Sequence, residues 1–409
     1  MMKVAVVGGG AAGFFAALSV KEHHPQAQVT IFEKSGKLLS KVRISGGGRC
    51  NVTHHCYDIK KFARHYPRGE RFLRKAFQHF AVKDTVEWFE RRGVELKIEE
   101  DGRMFPTTDR SQTIIDALMS EAARLGVSIQ QPTGITACVP VEGKWKLSVG
   151  DGRSLLVDGL IISTGGNARA ESYKWLSDLG HAIVPPVPSL FTFNMPGEPI
   201  RDRMGLVADP VHAGITGTTL ASDGPLLITH WGMSGPAILK LSAWGARLAA
   251  EMGYRFTLRL NWLGGHNESE ARSMLREAEL KMGKKHMANA DPFALPDRLW
   301  KYLLEKAGIP EEKRLAELAK KERNRLVDLL TNDRYEVKGK TTFKEEFVTA
   351  GGISLDEVDP ITMRSLKHTG LYFAGEVLDI DGITGGFNFQ AAWTTGYLAG
   401  KLEQPEMDR

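Results

Sequence analysis

Cysteine is scarce in this 409-residue chain, which contains only Cys50, Cys56 and Cys138 and no Cys-x-x-Cys pair. The sequence therefore predicts neither a disulfide framework nor a dithiol redox pair or zinc knuckle. We expect Cys50 and Cys56 to be free thiols in a reducing compartment. The histidines show no spacing typical of metal ligands, so no metal site is predicted.

Long apolar runs and a strong charge of one sign are also lacking. No apolar run reaches the roughly 18 residues of a membrane-spanning helix, and no basic segment or cleavage site marks a signal peptide at the N-terminus. We expect a cytoplasmic protein, at most peripheral to a membrane. The net charge of +5 is small for this length and gives no footprint typical of a nucleic-acid binder.

The clearest motif lies at the N-terminus. A short apolar strand leads into Gly8-x-Gly10-x-x-Gly13, and an Ala-rich helix is predicted over 11–24. The first glycine permits a tight turn, the second lets the backbone approach a pyrophosphate, and the third lets the helix pack on the strand. The pyrophosphate would lie at the helix N-terminus, where the dipole favours negative charge. The next strand ends at Glu33, a position from which a carboxylate accepts hydrogen bonds from an adenosine ribose.

Three later segments are also rich in glycine. Residues 45–51 contain three successive glycines, which let a backbone lie against a flat or charged ligand. Residues 163–166 form a small-residue turn at the end of a predicted strand, where ligands bind in open α/β folds, although a plain turn is equally compatible. The strand 371–374 leads through a Gly-rich loop into a helix predicted from Ala391. A cofactor that uses two such helix termini is long and carries a second electron-poor ring.

The composition indicates three consecutive parts. A Pro-rich step at 185–188 predicts a domain boundary. We expect residues 1–189 and 343–409 to form the cofactor domain, with a β-meander within the first part. Residues 190–342 lack a dinucleotide motif and predict an inserted α+β domain that covers substrate. Its predicted helices lie at 234–252, 268–282, 296–307 and 312–330.

The motifs resemble those of a known bacterial flavoprotein family. The chain is similar to the HI0933-like (YhiN-type) proteins, also called BaiN-like or aminoacetone oxidase-like, over nearly its whole length. The resemblance is carried by the opening Val-Val-Gly-Gly-Gly-Ala-Ala-Gly, by Ser45-Gly46-Gly47-Gly48-Arg49-Cys50-Asn51, and by 374–390 with Ala-Gly-Glu-Val-Leu-Asp-Ile-Asp-Gly and Thr-Gly-Gly-x-Asn-x-Gln. It implies an α/β, glutathione-reductase-type FAD-binding Rossmann fold with a β-meander and an inserted α+β domain.

The resemblance also implies a set of residues that contact FAD. Residues of the opening motif and Glu33 would hold the pyrophosphate and ribose, Ile135 would contact the adenine through its backbone, and the 375–376 pair would hold the ribityl chain and pyrophosphate. The 385–388 segment would lie along the pyrimidine edge of the isoalloxazine ring. The full predicted set is Gly8, Gly10, Ala11, Ala12, Gly13, Glu33, Lys34, Lys41, Ser45, Gly46, Gly47, Gly48, Arg49, Cys50, Asn51, Ile135, Thr164, Gly165, Gly375, Glu376, Asp381, Gly385, Gly386, Phe387 and Asn388.

The implied activity is that of an FAD-dependent oxidoreductase. Hydride would pass through flavin N5 from NAD(P)H or a reduced substrate to a small organic acceptor, such as an enone, or to oxygen. Since the middle of the chain has no second dinucleotide motif, NAD(P)H would visit the flavin site transiently. His230, Asp379 and Asp381 are candidate acids or bases by position, with turn capping or packing as the alternative role.

Two other functions stay open. The first is a flavin-dependent RNA-modifying protein whose basic stretches at 281–286 and 313–325 hold RNA. Leucines and acids at helical spacing in the second stretch favour a solvated amphipathic face instead, so nucleic acid is not the expected partner. The second is a flavoprotein sensor without turnover.

Overall fold

The computed structural model describes residues 1–341 and 348–403 of the chain. It divides into two units: Met1–Ser189 together with Phe343–Arg409, and Leu190–Thr342. The predicted start of the last part, at residue 343, lies outside the described residues. None of the described helices is long and apolar enough to cross a membrane.

The strands are numbered in chain order. They are β1 Lys3–Val7, β2 Gln28–Phe32, β3 Thr53–His54, β4 Leu96–Ile98, β5 Arg103–Pro106, β6 Ser128–Gln130, β7 Ile135–Val141, β8 Lys144–Val149, β9 Ser154–Val157, β10 Gly159–Ile162, β11 Ile183–Ser189, β12 Thr192–Asn194, β13 Val207–Ile215, β14 Ala221–Ile228, β15 Gly232–Ser234, β16 Arg255–Asn261, β17 Asp333–Lys338, β18 Lys340–Thr341, β19 Val348–Ile353 and β20 Leu371–Phe373.

The helices follow the same convention. They are α1 Ala11–His23, α2 Ser40–Gly48, α3 Ile59–Ala63, α4 Glu70–Ala76, α5 Val82–Glu90, α6 Ser111–Arg124, α7 Lys174–Ser177, α8 Pro236–Trp244, α9 Ala246–Glu251, α10 Glu268–Met282, α11 Asp297–Ala307, α12 Lys320–Asn332 and α13 Phe387–Gly400.

A five-stranded parallel sheet in the order β20-β10-β1-β2-β6 forms the centre of the first unit. Its strands β1 and β10 consist mainly of buried apolar residues, as expected for a parallel sheet that is covered on both faces. The register pairs Val7 with both Phe32 and Ile162, so three strands end at the same level. This common edge, at the carboxyl ends of the strands, is where open α/β folds bind ligands.

Helices α1 and α13 pack unusually closely against each other. A Cβ added at Gly396 would lie 2.5 Å from the carbonyl oxygen of Ala12, and one at Gly400 would lie 2.4 Å from that of Ala16. Two glycines one helical turn apart therefore let the two backbones approach. Since the contact positions advance toward the C-terminus in both helices, α1 and α13 run in the same direction.

Smaller sheets complete the first unit. Strands β7, β8 and β9 form the antiparallel meander expected from the sequence. Asp158 separates β9 from β10, and its carboxylate accepts a hydrogen bond from the backbone N–H of Lys3 at 2.7 Å. The Pro-rich step lies in strand β11, which pairs with β19.

The inserted unit contains a seven-stranded antiparallel sheet in the order β17-β16-β13-β14-β15-β12-β18. Its apolar core includes the fully buried rings of Trp262, Trp300 and Tyr335. The role of this unit in covering substrate stays a prediction.

Two predicted helices of the inserted unit differ in the structure. The helix expected over 312–330 begins only at Lys320, because Glu322 caps the backbone N–H of Ala319 at 2.8 Å while 315–317 form a separate 3₁₀ turn. The helix expected over 234–252 is divided at Gly245 into α8 and α9. The fold class is nevertheless confirmed, with a Rossmann-type parallel sheet, a meander and an inserted α+β unit.

Candidate functional site

The glycines in the turn between β1 and α1 differ in what surrounds them. Gly8 has a φ of 116°, and a Cβ there would lie 2.3 Å from Ser163 O. A Cβ on Gly13 would lie 1.9 Å from Gly8 O. The packing of the protein itself therefore requires these two glycines. Gly10 has an ordinary φ of −92°, and a Cβ there would have no atom within 4 Å, so it faces open space at the start of α1.

The predicted adenosine end lies beside this turn. Glu33 accepts hydrogen bonds from the N–H groups of Gly9 and Ser35, each at 2.8 Å. A carboxylate has about four acceptor positions, so Glu33 retains capacity for a ribose. The carbonyl of Glu33 accepts from Thr133 N at 2.7 Å, which brings the segment before Ile135 to the same edge as Lys34.

The 45–51 segment differs in part from the predicted loop, because its first residues continue a helix that begins at Ser40. The backbone leaves helical geometry at Ser45, and Gly46 and Gly47 have φ values of 58° and 70°. A Cβ on Gly47 or on the following Gly48 would meet no atom within 4 Å. The helix was missed because the glycine run has low helical propensity, but the turn itself faces open space.

The end of this segment is fixed within the protein. The Arg49 guanidinium lies 3.9 Å from the centre of the Phe105 ring. Burial raises the pKa of the Cys50 thiol to about 12, so this thiol is not a nucleophile near neutral pH. With its amide turned to satisfy both groups, Asn51 donates to Thr53 O at 3.0 Å and accepts from Gly386 N at 2.9 Å. Asn51 thus joins two predicted cofactor segments.

Strand β20 ends at Phe373, and Gly375, Glu376 and Val377 follow as a single 3₁₀ turn. The Glu376 carboxylate accepts from Lys41 Nζ and from the backbone N–H of Thr349, both at 2.7 Å. The Thr349 hydroxyl is buried without a hydrogen-bond partner among the described residues. A Cβ on Gly166 would lie 2.6 Å from this hydroxyl oxygen. Lys41, Glu376 and the 164–166 turn are therefore neighbours around an unpartnered hydroxyl.

Thr164 and Gly165 belong to the same edge. A Cβ on Gly8 would lie 3.1 Å from Thr164 Cα, while a Cβ on Gly165 would meet no atom within 4 Å. The turn after β10 therefore lies against the opening motif and leaves open space on its other side.

The 381–388 loop is braced by its own side chains. Asp381 is fully buried and accepts hydrogen bonds from Arg68 and Ser189. Burial raises the pKa of the Asp381 carboxyl, while Arg68 opposes the shift. The Asn388 amide accepts from Gly382 N at 2.8 Å and donates to Gly382 O at 2.9 Å. Since the side chains of Asp381 and Asn388 are hydrogen-bonded within the protein, only their backbone atoms are available for the predicted contacts with the cofactor.

The ring of Phe387 also turns into the protein. It stacks on His65 at 4.3 Å and on His54 at 4.7 Å between ring centroids. Tyr66 donates to the carbonyl of Phe387 at 2.6 Å. His54 Nδ1 lies 3.1 Å from the carbonyl oxygen of Gly385, so Nδ1 carries the proton. Burial lowers the pKa of His54, which favours the neutral ring.

Helix α13 begins at Phe387, not at Ala391 as predicted. Gly386 takes up a left-handed conformation with φ 94°, and Gln390 N bonds to Gly386 O at 3.0 Å to close the first turn. α13 begins nine residues before Gly396, whereas α1 begins one residue before Ala12, its neighbour. At a rise of 1.5 Å per residue, the start of α13 lies about 12 Å beyond the start of α1.

These features fit an FAD molecule. Gly10, Gly47, Gly48 and Gly165 leave space that no protein atom fills, although only some of them need glycine for their backbone conformation. The orphaned Thr349 hydroxyl lacks the partner that a buried polar group requires. Two helix N-termini pointing in one direction suit a pyrophosphate and a ring that becomes negative on reduction.

The predicted acid–base candidates belong to different units of the chain. His230 is an exposed residue of the inserted unit, where Arg201 Nε donates to its carbonyl at 2.8 Å. Asp379 and Asp381 belong to the loop of the first unit. Among the described residues, no group of three or more His, Cys, Asp or Glu side chains could hold a metal ion. A catalytic acid or base stays unassigned.

Thr349, Arg68 and Ser189 were not predicted from the sequence as residues of the site. Thr349 lies two positions before Gly351, outside every motif described above. Arg68 precedes helix α4, which begins at Glu70. No local signal connects Arg68 with a partner 313 residues away.

Comparisons with known proteins identify the family and the fold of the chain. The family model described as HI0933-like protein Rossmann domain matches residues 2–402. The 3-dehydro-bile acid delta(4,6)-reductase of Clostridium scindens is 29% identical, over 98% of each chain. The ribosomal RNA dihydrouridine synthase of Escherichia coli is 27% identical, over 96% of this chain and 95% of its own. The 3-ketosteroid delta1-dehydrogenase structure from Sterolibacterium denitrificans has a TM-score of 0.51 at 13% identity, over 98% of this chain and 99% of its own, which shows a shared fold.

Proposed function

Since the chain belongs to the HI0933-like family of FAD-dependent oxidoreductases, we propose that it reduces a carbon–carbon double bond conjugated to a carbonyl group. FAD, when bound, supplies hydride transfer through N5. The electrons come from NAD(P)H, which uses the flavin site transiently. The acceptor is a small enone or a ring with the same conjugated group.

The observation that carries the flavin part of this proposal is the 12 Å offset between the starts of α1 and α13, estimated from the helical rise. It gives one positive helix end for the pyrophosphate and a second, further along, for negative charge on the reduced ring. A helix terminus contributes about 0.3–2 kcal/mol to such a charge, which favours the reduced cofactor.

The protein groups around the two termini have distinct roles. Gly10, Gly47 and Gly165 admit the cofactor, and the Thr349 hydroxyl offers a hydrogen bond to it. Asn51 accepts from Gly386 N and so fixes the turn from which α13 begins. The buried Arg68–Asp381 pair braces the loop before that turn.

The activities for which the two relatives are named support the reaction class. A 3-dehydro-bile acid delta(4,6)-reductase and a ribosomal RNA dihydrouridine synthase are named for reducing different molecules. A 3-keto steroid alkene and a uracil ring share a double bond conjugated to a carbonyl. The identities of 29% and 27% do not favour one acceptor over the other, so RNA is a second candidate substrate.

Anaerobic mixing of the FAD-loaded protein with NADH and with NADPH tests the proposal. The yellow flavin absorbance should bleach with at least one of them, and a steroid enone or a uridine-containing RNA should restore it. Bleaching reversed only by oxygen would contradict the reductase, while failure to bleach would favour a sensor without turnover.

A further inference from the structure

Residues 57–79 carry a concentrated positive charge. Seven lysines and arginines stand here against two acids, which gives a net charge of +5, equal to that of the whole chain. Six of these cations are exposed and have no ion-pair partner within 4 Å among the described residues. They are Lys60, Lys61, Arg64, Arg71, Arg74 and Lys75.

Helical spacing groups these cations on two faces. In α3 and its C-cap, Arg64 follows Lys60 and Lys61 by four and three residues. In α4, Arg74 and Lys75 follow Arg71 by three and four residues. Side chains at these spacings are neighbours on a helix surface. Each helix therefore presents one cationic face, while Phe62, Phe72 and Leu73 are buried on the other side.

The helix pair α3 and α4, with the turn between them, contacts the loop that precedes α13. The rings of Phe62 and His65 lie 5.1 Å and 4.3 Å from the ring of Phe387. Ile383 N donates to His65 O at 2.9 Å. The outer, cationic side of this helix pair is therefore one layer of side chains away from residues 385–388, the predicted flavin-ring segment.

Exposed rings stand at the start of α3. Tyr57 is 53% exposed, and the ring of His55, also exposed, meets it edge-on at 5.0 Å between centroids. An exposed aromatic ring beside unpaired cations is the combination with which proteins stack bases and contact phosphates of single strands. A membrane-surface helix presents its apolar face to the lipid, whereas Phe62, Phe72 and Leu73 of these two helices are buried in the protein.

We propose that α3, α4 and Tyr57 form a binding surface for single-stranded RNA, with Tyr57 stacking on a base and the six cations contacting phosphates. The surface also gives the second candidate substrate a route to the flavin site, and only this role rests on the proposed function. A base must leave its stack before an enzyme can act on it, so a single strand beside the site is the form required.

The test measures binding of a fluorescein-labelled, uridine-rich RNA of about 16 nucleotides to the FAD-loaded full chain between about 50 and 200 mM salt. The variant carries Arg71→Gln, Arg74→Gln and Lys75→Gln. Since each phosphate contact on a single strand contributes about 0.7 to the slope of log affinity against log salt, the slope should fall in magnitude by about 2.

A matched control carries Lys284→Gln, Lys285→Gln and Lys321→Gln, three exposed cations of the inserted unit. It should bind RNA as the unmodified protein does. Equal losses in the two triple variants, no RNA binding at about 50 mM salt, or binding of phosphatidylserine vesicles in place of RNA would overturn the proposal.

Two further measurements separate the surface from folding and from the reductase. Tyr57→Ala should weaken RNA binding by about fivefold or more because a stacked base is lost, whereas Tyr57→Phe should not; equal affinities for both would contradict stacking. The α4 triple variant should retain flavin reduction by NAD(P)H and reoxidation by a small enone. If RNA binds with the expected slopes but the flavin is never reduced, the proposed function fails and the surface stands.

Discussion

Gly10 and Gly13 lie in the same turn, but a Cβ added to Gly10 would meet no atom within 4 Å, whereas one added to Gly13 would lie 1.9 Å from Gly8 O. The packing of the protein requires the second glycine, and we propose that the first makes room for a ligand. Sequence motifs combine these two requirements, and only the structure separates them.

Replacing Gly10 by alanine should weaken FAD binding without destabilising the cofactor-free protein. The added methyl group projects into the open space at the start of α1. Alanine is a poorer N-cap than glycine, which destabilises the folded state, but it also lowers the conformational entropy of the unfolded chain, which stabilises the protein. The two effects are of similar size, about 0.5–1 kcal/mol, and offset each other. FAD titration should show a loss of about tenfold or more, or 1.4 kcal/mol, while the melting temperature of the apoprotein stays unchanged.

Gly13→Ala is the matched comparison. Alanine normally stabilises a helix by about 1 kcal/mol relative to glycine, but here the Cβ overlaps Gly8 O and forces the backbone to move, which costs about 1–3 kcal/mol or more. The apoprotein should melt at a lower temperature. An unchanged apoprotein in Gly13→Ala, or a destabilised one in Gly10→Ala, would contradict the division of roles.

Removing the Arg68 side chain should destabilise the protein more at neutral than at acidic pH. Arg68→Met leaves the buried Asp381 carboxylate without its cation, which costs about 3–5 kcal/mol. Burial already raises the folded-state pKa of Asp381, so protonation relieves the penalty, and the stability of the variant falls as pH rises from the unfolded pKa through the folded one.

Urea unfolding between about pH 4 and pH 7 measures this dependence. Arg68→Met with Asp381→Asn removes the charge and serves as the control, with little dependence on pH from this site. A cost that is equal at both pH values would show that Asp381 is not a buried carboxylate paired with Arg68.

Glu376 should matter more to stability than its ion-pair partner Lys41. The lysine side chain is 41% exposed, so its pairing contributes about 0–1 kcal/mol. Glu376→Ala instead deprives the backbone N–H of Thr349 of its acceptor, which costs about 1–3 kcal/mol. Glu376→Gln keeps an acceptor oxygen and should be intermediate. Chemical denaturation of the Lys41→Met, Glu376→Gln and Glu376→Ala apoproteins measures this order of stability. Equal losses of stability for Lys41→Met and Glu376→Ala would contradict it.

Thiol reagents should label Cys56 alone in the native protein. Burial raises the pKa of both Cys50 and Cys138 to about 12, so about one in 10,000 of these groups is a thiolate at pH 8. Cys56 is partly exposed. Mass spectrometry after a short maleimide reaction measures the pattern, and the unfolded chain should be labelled at all three positions. Rapid native labelling of Cys50 would contradict its burial.

The local motifs could be predicted from the sequence because their requirements lie within a few residues. The Gly8–Gly13 turn and strand β2 need only near neighbours, and both occur where expected. The start of α13 was placed four residues late because its N-cap is a left-handed glycine without a capping side chain, so no Ser, Thr, Asp or Asn marked it.

The bracing of the site could not be predicted in the same way. The Arg68–Asp381 pair and the Asn51–Gly386 bond join residues more than 300 positions apart. Each depends on how the last helix docks against the first part of the chain, which is decided by the close approach of α1 and α13. The unpartnered Thr349 hydroxyl likewise becomes visible only when burial is known.

The main proposal is that the glycine-rich segments 8–13, 45–51 and 375–388, together with the N-termini of α1 and α13, hold FAD. Denaturing the purified protein, separating the released cofactor by chromatography and identifying it by mass tests this claim most directly. We expect about one FAD for each chain, and much less from Gly10→Ala. Release of FMN or NAD in place of FAD, or FAD binding that is unaffected by Gly10→Ala, would contradict it.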